Sequence, residues 1–178
     1  AALAVIPAAV ARRFALYKQA IIHLFDRQEA TEGLLALFKE IAATRKGSGL
    51  CAYGCNDITD ENEVCRTVLD LTKCYPFIGV LVNVAGVVRD AYPLVGAQNE
   101  GMDGEARDAL DLSRLARDFS FIMGVNLLGT LLWSRAVLPS MWKNGFGRIV
   151  NVASMAGIRG EVGMEIYSMS KAGVIHLT

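Results

Sequence analysis

The first glycine in the chain is Gly33, so the 32 residues before it contain none. An α/β unit that grips a dinucleotide turns its first strand into its first helix through glycines. These let the backbone approach the pyrophosphate, while the helix N-terminus faces its charge. A standard phosphate turn is therefore excluded. Cysteine is also sparse: Cys51, Cys55, Cys65 and Cys74 form no C-x-x-C pair, and the two histidines, His23 and His176, lie far from them. That pattern argues against zinc or any other metal site. It reads instead as free, mostly buried thiols in a reducing compartment, the cytoplasm or the mitochondrial matrix. There is no excess of either charge, with 18 basic and 18 acidic residues, and no basic patch to meet nucleic acid. No uninterrupted apolar run reaches the ~18 residues of a membrane span. Internal repeats and low-complexity linkers are absent.

What is present is an apolar chain, 53% hydrophobic over 178 residues, enough for one sizeable core and one domain over 1–178. Short apolar runs alternate with longer helical patterns, which predicts βαβ units around a parallel sheet. Ile21–Asp26 reads as a strand ending in an acid. Ile78–Val82 reads as a buried strand entering the turn Asn83-Val84-Ala85-Gly86, and Ile149–Ala153 as another, ending at Ser154. A long apolar helix covers about 119–141 and contains Asn126. Thirteen residues after Ser154 comes Tyr167-Ser168-Met169-Ser170-Lys171. Tyr167 and Lys171, four apart on a helix, share a face. An ammonium beside a phenol favours the phenolate, so the tyrosine is suited to moving a proton near neutral pH, as carbonyl reduction requires.

Taken in order, Asn83-x-Ala85-Gly86, Asn126, Gly147-Arg148-Ile149-Val150-Asn151 leading to Ser154, and Tyr167-x-x-x-Lys171-Ala172-Gly173 resemble the short-chain dehydrogenase/reductase family. Ala85-Gly86-Val87-Val88-Arg89-Asp90 and Lys171–Ile175 look most like its 3-oxoacyl-(acyl carrier protein) reductase branch. The resemblance covers about residues 8–178. It implies a Rossmann-like doubly wound parallel sheet, incomplete here at both ends, and an NAD(P)-dependent oxidoreductase acting on a small carbonyl substrate. It assigns Tyr167 as general acid/base and Lys171 as its modulator and nicotinamide-ribose ligand. Ser154 would hydrogen-bond the substrate oxygen, and Asn126 would hold a water that relays protons to Lys171. On the cofactor side it implies Asp26, Asp57, Ile58, Asn83, Ala85 and Gly86 together with Tyr167 and Lys171. Asp26 lies 19 residues after Pro7, near the ~20-residue spacing of a carboxylate that binds ribose hydroxyls, while Arg27 beside it leaves NAD and NADP open. It also implies association, with copies or with other chains, through the helices around 119–141 and 166–178.

The phosphate turn is where the pattern breaks. In one register the family's three glycines fall on Ala1, Val5 and Pro7. In another, Ala2–Ile6 is a shortened strand and Pro7 opens the helix at its first position, deleting the turn. Either way the cradle is degenerate, so the cofactor is NAD or NADP if the chain is active and none if it is not. Arg12 or Arg13, or backbone N–H groups near Ala4–Ala8, are the remaining candidates for the phosphates. Arg12, Arg13 and Lys18 without an acid in residues 1–25 look like a transit peptide, yet the same residues fit the family's first helix. The polar stretch Gly96–Asp118, with a short amphipathic helix expected over 108–118, reads as a solvated excursion or a partner contact. The chain ends at Thr178, so it reads as part of a longer protein or as a domain completed by partners. Two functions follow: a carbonyl reductase with a Ser-Tyr-Lys site, or a structural subunit that kept the fold and lost the cofactor.

Overall fold

A computed structural model describes residues 5–17, 21–26, 31–44, 51–89 and 112–178. Arg27, residues 1–4 and the 96–111 part of the polar stretch lie outside the described residues. Two compact units make up the chain, Ala1–Asp70 and Leu71–Thr178. Among the described residues, four strands pair as two parallel two-stranded sheets.

The first unit holds helix α1 (Val5–Ala15), strand β1 (Ile22–Asp26), helix α2 (Thr31–Thr44) and strand β2 (Cys51–Cys55). β1 and β2 run parallel, with Ile22 opposite Cys51 and Asp26 opposite Cys55. Connecting two parallel neighbours requires a crossover, and α2 supplies it. Leu34, Leu37 and Ile41 repeat at helical spacing and are buried; Leu37 and Ile41 pack with Ala8 and Ala11 of α1. Arg12 of α1 makes a two-pronged contact to Glu40 of α2, at 2.7 and 2.8 Å. The expected strand over Ala2–Ile6 is not formed in its described part, because Val5 and Ile6 already belong to α1. Pro7 stands third in that helix rather than first. The proline is tolerated there because its missing N–H is one of the four that lack an intrahelical acceptor, and the alanines that follow favour helix.

Helix α3 (Glu61–Cys74) starts in the first unit and ends in the second. Asp60 caps it: its Oδ1 accepts from the N–H groups of Asn62 and Glu63. Cys55, Cys65 and Cys74 are exposed. This corrects the expectation of mostly buried thiols. α3 buries Val64 and Val68, and Cys65 falls off that stripe.

The second unit runs β3 (Val80–Asn83), α4 (Leu112–Met123), a π-helical turn (Gly124–Gly129), α5 (Thr130–Lys143), β4 (Arg148–Asn151), a 3-10 turn (Met155–Gly157) and α6 (Glu165–Leu177). The long apolar helix of the sequence reading is thus α4 and α5 joined through the π turn, and the expected 108–118 helix is represented by the start of α4. β3 and β4 are parallel, Val80 opposite Arg148 and Asn83 opposite Asn151, so the segments following both strands leave from one edge. By length and composition Ser113–Lys143 is apolar enough to cross a membrane. A core helix meets the same criteria, and this one buries Ile122, Asn126, Trp133 and Val137.

Glycines set how closely the second unit packs. A Cβ on Gly157 would lie 2.6–2.8 Å from backbone atoms of Lys171 and Ala172, so the 3-10 turn rests directly on α6. Gly160 faces open space. Gly157→Ala is expected to destabilise the protein by about 1–3 kcal/mol through overpacking, whereas Gly160→Ala should stay within ~0.5 kcal/mol. Urea midpoints of the two variants at unchanged slope check this.

Candidate active site

The site of the second unit is built at the C-terminal ends of β3 and β4. Just beyond β4, the Val152 N–H donates to the Asn83 carbonyl at 2.9 Å, which extends the ladder by one bond. Two residues further, Ser154 is extended and caps the 3-10 turn, its Oγ accepting from the Ala156 N–H at 3.2 Å. Gly163, at φ +80°, turns the chain into α6. On α6, Tyr167 and Lys171 face the same way.

Lys171 is only 4% exposed. Its ammonium donates to the Val152 carbonyl at 2.8 Å and lies 5.9 Å from the centre of the Tyr167 ring. Among the described residues no carboxylate comes within salt-bridge distance of it. Burial pushes its pKa below the ordinary lysine value, because a cation removed from water favours its neutral form. A Cβ on Gly86 would sit 3.3 Å from Nζ, so the glycine keeps space open on that side.

Asn126 lies in the π turn and is fully buried. Its side chain clamps Val87: Oδ1 accepts from the Val87 N–H at 2.7 Å and Nδ2 donates to the Val87 carbonyl at 2.9 Å. Nδ2 also donates to Ser170 Oγ at 2.9 Å, and Ser170 Oγ in turn donates to the Tyr167 carbonyl at 2.7 Å. Both amide protons are therefore engaged within the protein. The backbone carbonyl of Asn126 accepts from Thr130 Oγ1 at 2.9 Å. Turns of this π type are frequent at functional sites. Asn83 is engaged in the same way: its Nδ2 donates to Ser134 Oγ at 3.1 Å and to Asn151 Oδ1 at 2.8 Å. Ala85 and Gly86 are exposed beside Lys171 and Asn126.

Asp26, Asp57 and Ile58 belong to the first unit. Asp26 ends β1, and its carbonyl accepts from the Asn56 N–H at 2.9 Å. Asp57 Oδ1 accepts from the N–H and hydroxyl of Thr59 at 2.9 and 2.8 Å, which closes a turn. The Asp57 N–H donates to Glu63 Oε2 at 2.8 Å. Ile58 follows, half-buried.

The opening at Gly86 beside a buried ammonium fits a ribose or its attached ring. The first turn of α1 offers a pyrophosphate one N–H donor fewer, since Pro7 has none. Arg12, one of the two cations considered for that role, is committed to Glu40.

Sequence reasoning found the titratable residues and missed what holds them. The Val152 carbonyl and the Val87 backbone carry no side-chain signature. Thr130 and Ser134 also escaped sequence reasoning, although with Asn126 they recur at intervals of four and form a buried polar stripe.

Parallel strands joined by helices, with polar side chains gathered where the strands end, define a Rossmann-like α/β protein. The family model for short chain dehydrogenase matches residues 2–178. Carbonyl reductase family member 4 of Xenopus tropicalis is 34% identical over 134 residues, covering 75% of this chain and 48% of that protein. The 3-oxoacyl-[acyl-carrier-protein] reductase FabG of Thermotoga maritima is 36% identical over 122 residues, covering 68% and 42%. Among solved structures, NAD+-bound xylitol dehydrogenase aligns over 97% of this chain and 58% of its own, at 25% identity and TM-score 0.74. A metagenomic short-chain oxidoreductase in complex with NADP aligns over 96% and 66%, at 27% identity and TM-score 0.72. The chain belongs to the short-chain dehydrogenase family, and it spans about half the length of the curated relatives it matches.

A lysine with a lowered folded-state pKa gives a signed expectation. Between that pKa and the ordinary value of 10.5 the unfolded chain binds more protons, so stability should rise with pH there. Below that window the cost of burying the charge is carried in full. Lys171→Met removes the ionisation. The stability difference, wild type minus variant, should therefore increase as pH climbs toward 10.5, as read by denaturation at a series of pH values.

Proposed function

We propose that this chain belongs to an NAD(P)-dependent oxidoreductase that reduces a carbonyl substrate. The substrate class is the 3-oxoacyl type named for its relatives. One observation carries the reading: Tyr167 is half-exposed beside a buried ammonium, and among the described residues its hydroxyl makes no hydrogen bond. A polar group without a structural partner, next to a cation of lowered pKa, is the pattern of a proton donor held ready. When bound, a reduced nicotinamide supplies hydride to the carbonyl carbon. The chain's residues do the rest. Tyr167 Oη delivers the proton to the carbonyl oxygen, and the Ser154 hydroxyl donates a hydrogen bond to the same oxygen. Lys171 keeps its ammonium beside the phenol ring and would hold the ribose. The Asn126 amide sets the Gly86–Val87 wall, and its side-chain oxygen, accepting one bond, keeps a lone pair for the water that would relay protons to Lys171.

The α1 turn favours a second reading, a family-fold subunit without catalysis. Losing phosphate contacts worth about 1.5–3 kcal/mol each weakens dinucleotide binding by orders of magnitude. NADH or NADPH is expected to bind weakly or not at all, and a fluorescence titration with low-micromolar affinity would overturn that expectation. If turnover is present, Tyr167→Phe should lower kcat by about 10²–10⁴ while circular dichroism stays unchanged. An activity indifferent to that hydroxyl leaves the subunit reading standing.

Association with a second copy of the chain is part of the same proposal. Phe119, Leu128 and Leu131 on the α4–α5 helix and Met169 and Ile175 on α6 are exposed, a large apolar area for one unit to leave in water. Sedimentation at micromolar concentration should give a dimer or larger species. A monomer would contradict it.

A further inference from the structure

The segment after β3 carries Gly86 to the Lys171 ammonium, where a Cβ on the glycine would sit 3.3 Å from Nζ. Two anchors hold it. The first is the Asn126 clamp on Val87. The second is Arg89, whose guanidinium enters a slot on α4. Arg89 Nη1 donates to Asp118 Oδ1 at 2.6 Å, and its planar head lies over the Phe121 ring with Cζ 3.9 Å from the ring centre. Asp118 and Phe121 are three apart on one helix face, so one offers a carboxylate edge and the other a ring face to the same planar cation.

The carboxylate makes this more than a surface pair. Asp118 is 6% exposed, and a buried carboxylate is costly unless it is paired and hydrogen-bonded. Its helix neighbour Arg114 stands 3.8 Å from Oδ2, beyond hydrogen-bond length. Arg89, 29 residues away in sequence, supplies the close partner. Undocking the segment would strand a buried charge, so burial of Asp118 and docking of residues 86–89 are coupled.

We propose that Arg89 is a positioning residue: seated between Asp118 and Phe121, it holds Gly86 and Val87 as one wall of the site around Lys171. The proposal takes Lys171 as a site residue, in keeping with the function proposed above, but its readouts contain no turnover. Around the Lys171 ammonium stand the Val152 carbonyl, the Tyr167 ring, the Gly86 backbone and, behind it, the Asn126 amide. The wall's position therefore governs how much water reaches the ammonium.

The test is amide hydrogen exchange and an NMR titration of the lysine side chain in Arg89→Gln and Arg89→Lys, in the whole protein. Arg89 is half-exposed, so both variants should fold. In Arg89→Gln the Val87 amide is expected to exchange about tenfold faster or more, while the Val137 core amide keeps its protection. The Lys171 titration should move back toward the ordinary lysine value. Arg89→Lys, which keeps a cation for Asp118, should recover most of the Val87 protection. Unchanged Val87 exchange and an unchanged Lys171 titration in Arg89→Gln would overturn the proposal. So would a uniform loss of protection at Val87 and Val137 together, which is what a purely structural role produces. Absence of catalysis would bear on the proposed function and leave this result readable.

Discussion

The second unit is organised around one expensive object, the buried ammonium of Lys171. A cation taken from water costs several kcal/mol unless the protein provides oriented partners. Here the partners are the Val152 carbonyl and the Tyr167 ring. Both must be held still, because an electrostatic offset at low dielectric depends on fixed geometry. The strand ends meet that demand through the side-chain bond between Asn83 and Asn151 and the backbone bond from Val152 to Asn83. α6 is held by Gly157, which lets the 3-10 turn touch its backbone, and by Gly173, where a Cβ would lie 2.8 Å from the Leu127 side chain.

The helix from α4 to α5 contributes differently. Asn126, Thr130 and Ser134 are buried at intervals of four, and two of them return their hydroxyls to the carbonyl four residues back. Such back-bonding satisfies a hydroxyl but adds little stability. It leaves Ser134 Oγ able to accept from Asn83, and it surrounds the π turn with satisfied groups. A polar stripe through an apolar helix is justified when each member is bonded. Here the stripe joins the strand end to the base of α6, so strand, helix and Tyr-Lys face share one hydrogen-bonded framework.

Much of this was legible in the sequence, for physical reasons that differ by element. The strand runs ending at Asp26, Asn83 and Asn151 show because buried parallel strands must be continuously apolar. Tyr167 and Lys171 show because a fixed helical spacing carries chemistry. The start of α1 misled because Val5 and Ile6 favour strands, whereas Pro7 and the alanines after it favour helix, and the helix prevailed. The exposed cysteines misled because composition gives a residue type's average burial, not its place relative to the Val64–Val68 stripe. The Arg89 slot was invisible because it joins residues 29 apart through a stretch with no periodicity.

The same framework bears on how catalysis and scaffolding are told apart. Lys171, Asn126 and Ser170 are each buried and each bonded to parts of the fold, so packing alone requires them. Their presence is what a silent subunit would also keep. Asp57 caps its own turn, and Asn83 ties two strands to a helix, so neither discriminates. Tyr167 and Ser154 do. The Ser154 hydroxyl accepts a single weak bond, and the Tyr167 hydroxyl makes none among the described residues, while its ring already supplies the packing that a phenylalanine would give. Of the two, the Tyr167 oxygen is the one left without a bond among the described residues. The case for a working reductase rests on that phenol, and the case against it on the absent glycines of α1.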